Sequence, residues 1–203
     1  MPNLEDQYRC PTGRNGRLVA AMMNQHHESL TFWGLTKASI GSDNVILDVG
    51  CGGGKTINKL AHLASQGKVY GIDYSLDMVK FSKKINKTLI AQNRVQIKEG
   101  SVKKINFEDD FFDIVTAIET YYFWNNLAVA FKEIRRVLKP GGKLLLINEL
   151  LCGVTPEKII EETHVKLFKL QEIQNLLKSA GFVDSQIFTK AESPWNAIIA
   201  KKK

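Results

Sequence analysis

The stretch from Val45 to Gly54, VILDVGCGGG, constrains the fold of this chain more than any other part of the sequence. Four apolar residues surround Asp48 and lead directly into four glycines. A short apolar run that ends in glycines is typical of a buried parallel strand that turns sharply into a helix. Glycines let a ligand approach the backbone, and the first helical turn offers it free N–H groups. The sequence therefore predicts a ligand site at the end of the first strand.

Strand and helix patterns alternate along most of the chain that follows. Helical periodicity is found at residues 55–65, 75–91, 126–138 and 170–180. Strand patterns are found at residues 68–72, 94–99, 112–118, 143–148, 183–189 and 195–200. This order predicts a mostly parallel sheet with helices on both faces, joined by right-handed crossovers.

A further helical pattern precedes the first strand, at residues 16–33. With about 100° of rotation per residue its apolar residues share one broad face, with His26 in the middle and His27 at the edge. We expect this helix to pack on the sheet or close over the glycine loop, so that His26 points toward the sheet or a pocket. Thr155 and Pro156 predict one more short helix.

Length and composition favour one globular domain. The 203 residues are 44% hydrophobic and 24% charged, which is ordinary for a protein with a buried core. No apolar run approaches the ~18 residues that a membrane helix needs, and the N-terminus is polar. We therefore expect a cytoplasmic protein without a membrane partner.

Cysteine spacing and charge distribution argue against two further classes. The three cysteines form no CxxC pair, so the sequence indicates neither a disulfide framework nor a zinc site, and we expect no metal. The net charge of +7 comes from scattered lysines and arginines rather than from a basic stripe. A solvated basic surface is therefore favoured over a nucleic-acid partner.

Spacing within the glycine loop excludes two nucleotide-binding motifs. A P-loop needs glycine five residues before the glycine of GK[ST], where this chain has Val49. The dinucleotide pattern GxGxxG needs a third glycine where this chain has Lys55. The glycines run instead at Gly50, Gly52 and Gly54, after Asp48.

In that pattern the loop DVGCGGG resembles the first motif of the class I S-adenosylmethionine-dependent methyltransferases. Four later stretches resemble further motifs of that family and follow in the same order as in the family. They are VYGIDYSLDMV, FDIVTAIETYYFW, FKEIRRVLKPGGKLLLI and LQEIQNLLKSAGF. The resemblance covers residues 45–200 and implies a Rossmann-like three-layer α/β sandwich, with a mostly parallel seven-stranded sheet and an antiparallel last strand. It implies one methyltransferase domain, with a helical cap at residues 1–43, a cofactor core at 44–150 and a substrate-side segment at 151–203.

The resemblance also implies S-adenosylmethionine as cofactor, S-adenosylhomocysteine as product, and a set of cofactor-binding residues. In the family an acidic residue after the second strand binds the ribose hydroxyls, and Asp73 takes that place. The full implied set is Asp48, Gly50, Cys51, Gly52, Gly54, Asp73, Tyr74, Met78, Ser101, Val102 and Glu119. The chain departs from the family at Gly100-Ser101-Val102, where Gly-Asp-Ala is common, so the adenine is expected to be held differently.

Some of these residues have a second, purely structural interpretation. Asp73 could cap the helix that begins after Ser75, and Met78 could be a core residue. A buried Asp48 needs partners for its charge, which loop N–H groups or the cofactor's ammonium group would supply; otherwise it stiffens the loop.

Methyl transfer from a sulfonium requires alignment and exclusion of water, and a general base where the acceptor carries a proton. By the family's layout, the candidates for this base are His26, Tyr122 and Glu119, together with Tyr121 and Glu149. For His26 a packed core position is the competing interpretation. The aromatic run that begins at Tyr121 either lines a substrate pocket or packs beneath the N-terminal helix.

The acceptor is the part of the function that the sequence constrains least. Amino-methyltransferases for bases or glutamine carry Asn or Asp and two prolines after the fourth strand, whereas this chain has IETY at 118–121. We therefore expect a small-molecule acceptor and a monomer or homodimer. An RNA or protein methyltransferase, or a non-catalytic S-adenosylmethionine-binding protein, remains an alternative.

Overall fold

The structure is a computed structural model that describes residues 11–149 and 168–203. Two helices come first, α1 (Gly13–His26) and α2 (Glu28–Leu35). They are followed by β1 (Val45–Val49), α3 (Lys55–Leu63), β2 (Lys68–Asp73), α4 (Leu76–Ile85), α5 (Lys87–Ala91), β3 (Val95–Glu99), β4 (Phe112–Ile118), α6 (Leu127–Val137) and β5 (Leu138–Asn148). A short 3-10 helix, Tyr121–Phe123, precedes α6, and the last elements are α7 (Leu170–Ser179), β6 (Phe182–Thr189) and β7 (Asn196–Lys202).

The seven described strands form one sheet in the order β3-β2-β1-β4-β5-β7-β6. β1 pairs in parallel with β2 and β4, and parallel pairing continues outward to β3 and β5. β7 runs antiparallel to both β5 and β6. The predicted Rossmann-like sheet, mostly parallel with an antiparallel last strand, is confirmed.

The sheet is covered on both faces because neighbouring residues of a strand point to opposite sides. On β1, Ile46 packs in a core cluster with Leu60 of α3 and Leu30 of α2. The next residue, Leu47, packs in a second cluster with Phe131 of α6 and Ile173 of α7. The result is a three-layer sandwich. Its strand order reverses at β1, where ligand crevices form beside the carboxyl ends of parallel strands.

The N-terminal helical pattern is interrupted in the structure. α1 ends at His26, and the N–H of His27 donates to the carbonyl oxygen of Met23 at 2.9 Å. α1 packs against α4 instead of lying flat on the sheet. Leu18 and Met22, which belong to the apolar face of a continuous helix, are therefore 60% and 67% exposed.

Other boundaries differ less. The predicted helix at 75–91 is divided at Asn86, whose side-chain amide donates to the carbonyl oxygens of Gly54 and Ser82. β5 begins at Leu138 rather than at residue 143, because Leu138 pairs with Phe112 ahead of the glycine turn. The short helix predicted at Thr155 and Pro156 lies outside the described residues. None of the described helices has both the length and the hydropathy that a membrane span requires.

Candidate functional site

A cavity of about 770 Å³ opens at the carboxyl ends of β1, β2 and β4. Pockets for small ligands in proteins have volumes of roughly 300–1,000 Å³, so this one has room for a ligand of that class. One wall is formed by the glycine loop after β1 and by Asp73 after β2. The opposite wall is formed by α1 and by the segment that follows β4.

The glycine loop is held in place by the strand next to it. The N–H groups of Gly50 and Cys51 both donate to the carbonyl oxygen of Ile72, at 2.8 and 3.1 Å. Gly50 has φ of +74°, and a Cβ there would lie 2.5 Å from Cγ2 of Thr120. Gly54 has φ of +81°, with Ser82 against the place of its Cβ. Both positions require glycine for the loop to turn.

Gly52 shares the positive φ of its neighbours but differs from them in its surroundings. Its φ is +47°, its N–H donates to Oδ2 of Asp73 at 2.7 Å, and, apart from its chain neighbours, no atom of the described residues lies within 4 Å of where a Cβ would be. Gly52 lines the cavity, so this space opens into it. The loop therefore presents bare backbone, which fits the approach of a nucleoside-type cofactor.

Asp73 lies on the cavity wall at the end of β2. Its carboxylate accepts hydrogen bonds from the N–H groups of Gly52 and Ser75, at 2.7 and 2.8 Å. Burial raises its pKa above the ordinary range of an aspartate, while these two donors act in the opposite direction. The helix cap is Ser75, whose Oγ accepts from the N–H of Met78, so the cap does not need Asp73.

The residues around Asp73 complete this wall. Met78 is only 1% exposed yet contributes to the cavity, whereas Tyr74 is 75% exposed at its rim. Ser101 and Val102 also line the cavity, and the Ser101 Oγ accepts from the N–H of Lys103 at 3.3 Å. Cys51 lines the cavity and is buried. The binding roles of these residues stay predictions, but their places agree with them.

Asp48 is buried at the end of β1, and its side-chain partner differs from the one expected. The Thr116 hydroxyl on β4 donates to its Oδ1 at 2.6 Å, whereas the expected partners were loop N–H groups or the cofactor's ammonium group. Burial, opposed in part by this hydrogen bond, raises the pKa of Asp48 to about 7. The carboxyl group therefore reaches the cavity wall with one strong donor, which leaves it able to bind a cation there.

The Asp48 pKa predicts a pH-dependent stability difference between the wild type and Asp48→Asn. Below about pH 4 the Asp48 carboxyl is protonated in both the folded and the unfolded state. Between about pH 4 and 7 it is protonated only in the folded state. The contribution of Asp48 to the free energy of unfolding therefore falls as the pH rises through this range. From pH 5 to pH 7 the wild type should lose about 2–3 kcal/mol of unfolding free energy relative to Asp48→Asn. Urea unfolding of both proteins at the two pH values measures the difference, and a constant gap would contradict it.

Glu119 lies just after β4, with its carboxylate fixed from both sides. Its backbone has φ of +54°, an uncommon value for a glutamate. The Tyr122 hydroxyl donates to Oε2 at 2.8 Å, and the N–H of Glu149 donates to Oε1 at 2.7 Å. Burial raises the pKa of Glu119 to about 7, although both donors oppose the shift. Glu119 lines the cavity, so this wall holds an oriented carboxyl group that titrates near neutral pH.

The prediction that His26 points toward the sheet or a pocket is wrong. The His26 side chain is 70% exposed and pairs with Glu149, with 3.1 Å between Nε2 and Oε1. His27 is 18% exposed and lines the cavity, with Nε2 3.8 Å from Oε2 of Glu119. Because the helix ends between the two residues, a helical wheel drawn through residues 16–33 assigns them to the wrong sides. Burial lowers the pKa of His27, which the Glu149 charge partly opposes.

The aromatic residues after β4 were expected either to line a substrate pocket or to pack beneath the N-terminal helix, and they differ in their positions. Tyr121 and Tyr122 are buried in the core beneath the cavity, while Phe123 and Trp124 line it. Tyr122 is not among the described residues that line the cavity, and its hydroxyl donates to Glu119, so its catalytic role stays a prediction that would act through Glu119. Burial and the neighbouring Glu119 charge both raise the pKa of Tyr122, so its hydroxyl stays a donor.

Sequence patterns gave no signal for the polar residues that α1 and α2 place at the cavity. Asn24 lies against Gly53, and Thr31 of α2 is a buried wall residue. A hydrogen bond joins the residues just before α1 to the wall formed by the glycine loop and Asp73, which we call the cofactor wall. The Ser75 Oγ donates to the carbonyl oxygen of Pro11 at 2.6 Å. The N–H of Gly13 also donates to Asp77, at 2.7 Å. These contacts depend on where α1 crosses the cavity, which periodicity does not determine.

Comparisons with known proteins agree with this geometry. Residues 47–146 match the family model described as a methyltransferase domain. The uncharacterized methyltransferase YdaC of Bacillus subtilis (strain 168) is 28% identical over 92% of this chain and 97% of its own length. Sterol 24-C-methyltransferase ERG6 of Saccharomyces cerevisiae is 29% identical over 82% of this chain, which spans 45% of that protein.

Solved structures share the same fold. In the Haloferax volcanii complex between the Trm112 methyltransferase activator and a methyltransferase, the matching chain superposes with a TM-score of 0.77 at 18% identity. That match covers 92% of this chain and 94% of the other.

Proposed function

Because this chain belongs to the class I S-adenosylmethionine-dependent methyltransferases, we propose that it methylates a small-molecule acceptor that loses a proton in the reaction. The enzyme takes its methyl group from S-adenosylmethionine. When bound, this cofactor supplies an electrophilic methyl group on a sulfonium, and S-adenosylhomocysteine leaves. The proposal therefore concerns the acceptor and the residues that handle it.

The described residues suit the cofactor. The open space at Gly52 admits it to the backbone, and the Asp73 carboxylate is placed to accept two ribose hydroxyls. Asp48 offers a negative charge to an ammonium group on the same wall. Ser101 offers a hydroxyl, and Met78 an apolar surface, for the adenine. Each of these contacts is proposed for this chain from its geometry.

The proposed acceptor site is inferred mainly from the position of the Glu119 carboxylate on the cavity wall. Glu119 faces the cavity across from the cofactor wall, where Phe123 and Trp124 add apolar surface and His27 adds a polar edge. A pocket with apolar walls and a few fixed polar groups is typical of a small-molecule site. ERG6, named a sterol methyltransferase, is a relative with such an acceptor and adds support.

Glu119 is proposed to accept the proton of the nucleophile as methyl transfer proceeds. The Tyr122 hydroxyl and the Glu149 N–H hold its carboxylate in one orientation, so that little reorganisation is needed. α1 and the aromatic residues exclude water from the cavity and align the acceptor. The cytoplasmic location and the monomeric or homodimeric state remain predictions.

An acceptor screen with methyl-labelled S-adenosylmethionine tests the proposal. The enzyme is incubated with cell extract that has been separated into small-molecule, RNA and protein fractions. We expect label to enter the small-molecule fraction with the wild type and not with Asp73→Asn. Label found only in RNA or protein would overturn the small-molecule acceptor, and cofactor binding without any transfer would indicate a non-catalytic protein.

A further inference from the structure

Two histidines at the end of α1 meet a carboxylate at the end of β5. His26 Nε2 lies 3.1 Å from Oε1 of Glu149, and His27 Nε2 lies 3.9 Å from the same oxygen. The imidazole rings are 5.2 Å apart and inclined at 65°, so they do not stack face to face. The three candidate ligand atoms all lie within 4.8 Å of one another.

These separations match the spacing of ligands around a divalent transition metal. Zinc binds histidine nitrogen and carboxylate oxygen at about 2.0–2.2 Å, which places tetrahedral ligands about 3.4 Å apart. The observed 3.1 and 3.9 Å lie on either side of this value. All three atoms lie within 4.8 Å of one another, so side-chain rotations that shorten the longer separations by about 1 Å would bring them into one coordination sphere.

The chemistry of the donors points in the same direction. Two imidazole nitrogens and one carboxylate oxygen favour zinc, iron or nickel over magnesium or calcium, which prefer oxygen ligands. The base of Glu149 is fixed, because its backbone N–H donates to Glu119 at 2.7 Å.

We propose that His26, His27 and Glu149 bind one divalent transition-metal ion, with Zn²⁺ as the reference ion. Sequence patterns predicted no metal because the ligands come from distant parts of the chain, joined only when α1 crosses the end of β5. Glu119 remains outside the set: its Oε2 lies 3.8 Å from His27 Nε2, but the group of mutually close ligand atoms comprises only those of His26, His27 and Glu149.

The described residues supply three ligands, and a three-ligand set with an open position is the arrangement of catalytic rather than structural sites. His27 lines the cavity, so an ion bound to it would lie beside the acceptor region. A role there rests on the proposed function: the ion would bind an acceptor oxygen as a Lewis acid and ease loss of its proton toward Glu119. Metal binding itself does not depend on that role.

The test is metal titration of the untagged, full-length protein after treatment with chelator. Calorimetry with Zn²⁺ should find one ion per chain, and Co²⁺ should give visible absorption typical of a low-symmetry site. Affinity should fall at least tenfold in His26→Ala and in Glu149→Gln. His62→Ala is the matched control, because His62 is an exposed helical histidine outside the cluster, and its affinity should equal that of the wild type.

Absence of stoichiometric binding, or binding that His26→Ala leaves unchanged, would overturn the metal site. His26 is 70% exposed, so its replacement does not disturb the core, and binding of S-adenosylhomocysteine verifies that each variant is folded. Failure of the metal site and failure of the proposed function are separable. The first leaves label transfer to a small molecule intact, and the second leaves metal binding intact.

Discussion

Asp73→Asn should weaken the binding of S-adenosylhomocysteine about 100-fold. The substitution removes the charge from a carboxylate placed to accept two ribose hydroxyls, and charge-assisted hydrogen bonds are each worth about 1.5 kcal/mol or more. Two such bonds amount to about 3 kcal/mol, or roughly 100-fold in affinity. Isothermal calorimetry on the wild type and the variant measures the loss directly.

Glu99→Gln provides the matched control for that measurement. Glu99 lies beside Asp73 in the register between β2 and β3, but it is exposed and outside the cavity wall. It should bind S-adenosylhomocysteine as the wild type does. Because Asp73 also accepts from Gly52 and Ser75, thermal unfolding of Asp73→Asn verifies that the loop has not collapsed. Equal affinity in the wild type and a folded Asp73→Asn variant would contradict the assignment of the ribose site.

Glu119→Gln should lower turnover by about 100-fold or more, because positioned general bases contribute roughly 10²–10⁴ to rate. Glutamine keeps the shape of the side chain and one acceptor oxygen, but it cannot take a proton from the acceptor. Binding of S-adenosylhomocysteine should change less than about threefold, since the effect falls on the chemical step. Initial rates with saturating acceptor, together with calorimetry, separate the two quantities.

Tyr122→Phe separates positioning from proton transfer. It leaves the Glu119 carboxylate in place and removes one of its two donors, so a loss of roughly tenfold is expected for a hydrogen bond to a charged group. If Glu119→Gln retained wild-type turnover, the proton-acceptor role would be wrong. If Tyr122→Phe lost as much activity as Glu119→Gln, the hydroxyl would have a larger part than positioning.

The fold was predictable because local patterns and glycine chemistry act over short distances. β4 begins and ends at the predicted residues, and Ser75 and Asn126 cap their helices through side-chain oxygens. Gly181 has φ of +91° after α7, as a left-handed helix cap requires. The same reasoning predicted that the glycine loop would present bare backbone to a ligand site. In the structure, Gly52 leaves open space on the cavity side of the loop.

The acceptor side was less predictable because it depends on contacts between distant segments. The helix break after His26 exchanges the places of two neighbouring histidines, and no apolar periodicity marks it. Asp48 finds its partner in Thr116, 68 residues away, rather than in its own loop. Glu149 joins the histidines only after β5 is placed beside β4. Such contacts require the tertiary structure.

One cavity is proposed to hold the cofactor against the β1–β2 wall and to leave room for an acceptor beside Glu119. A crystal structure with bound S-adenosylhomocysteine tests it most directly. We expect the ribose hydroxyls on the Asp73 carboxylate, and the sulfur facing open space lined by Glu119 and Phe123. A sulfur that faces a closed protein wall, or a ribose held away from Asp73, would contradict the account.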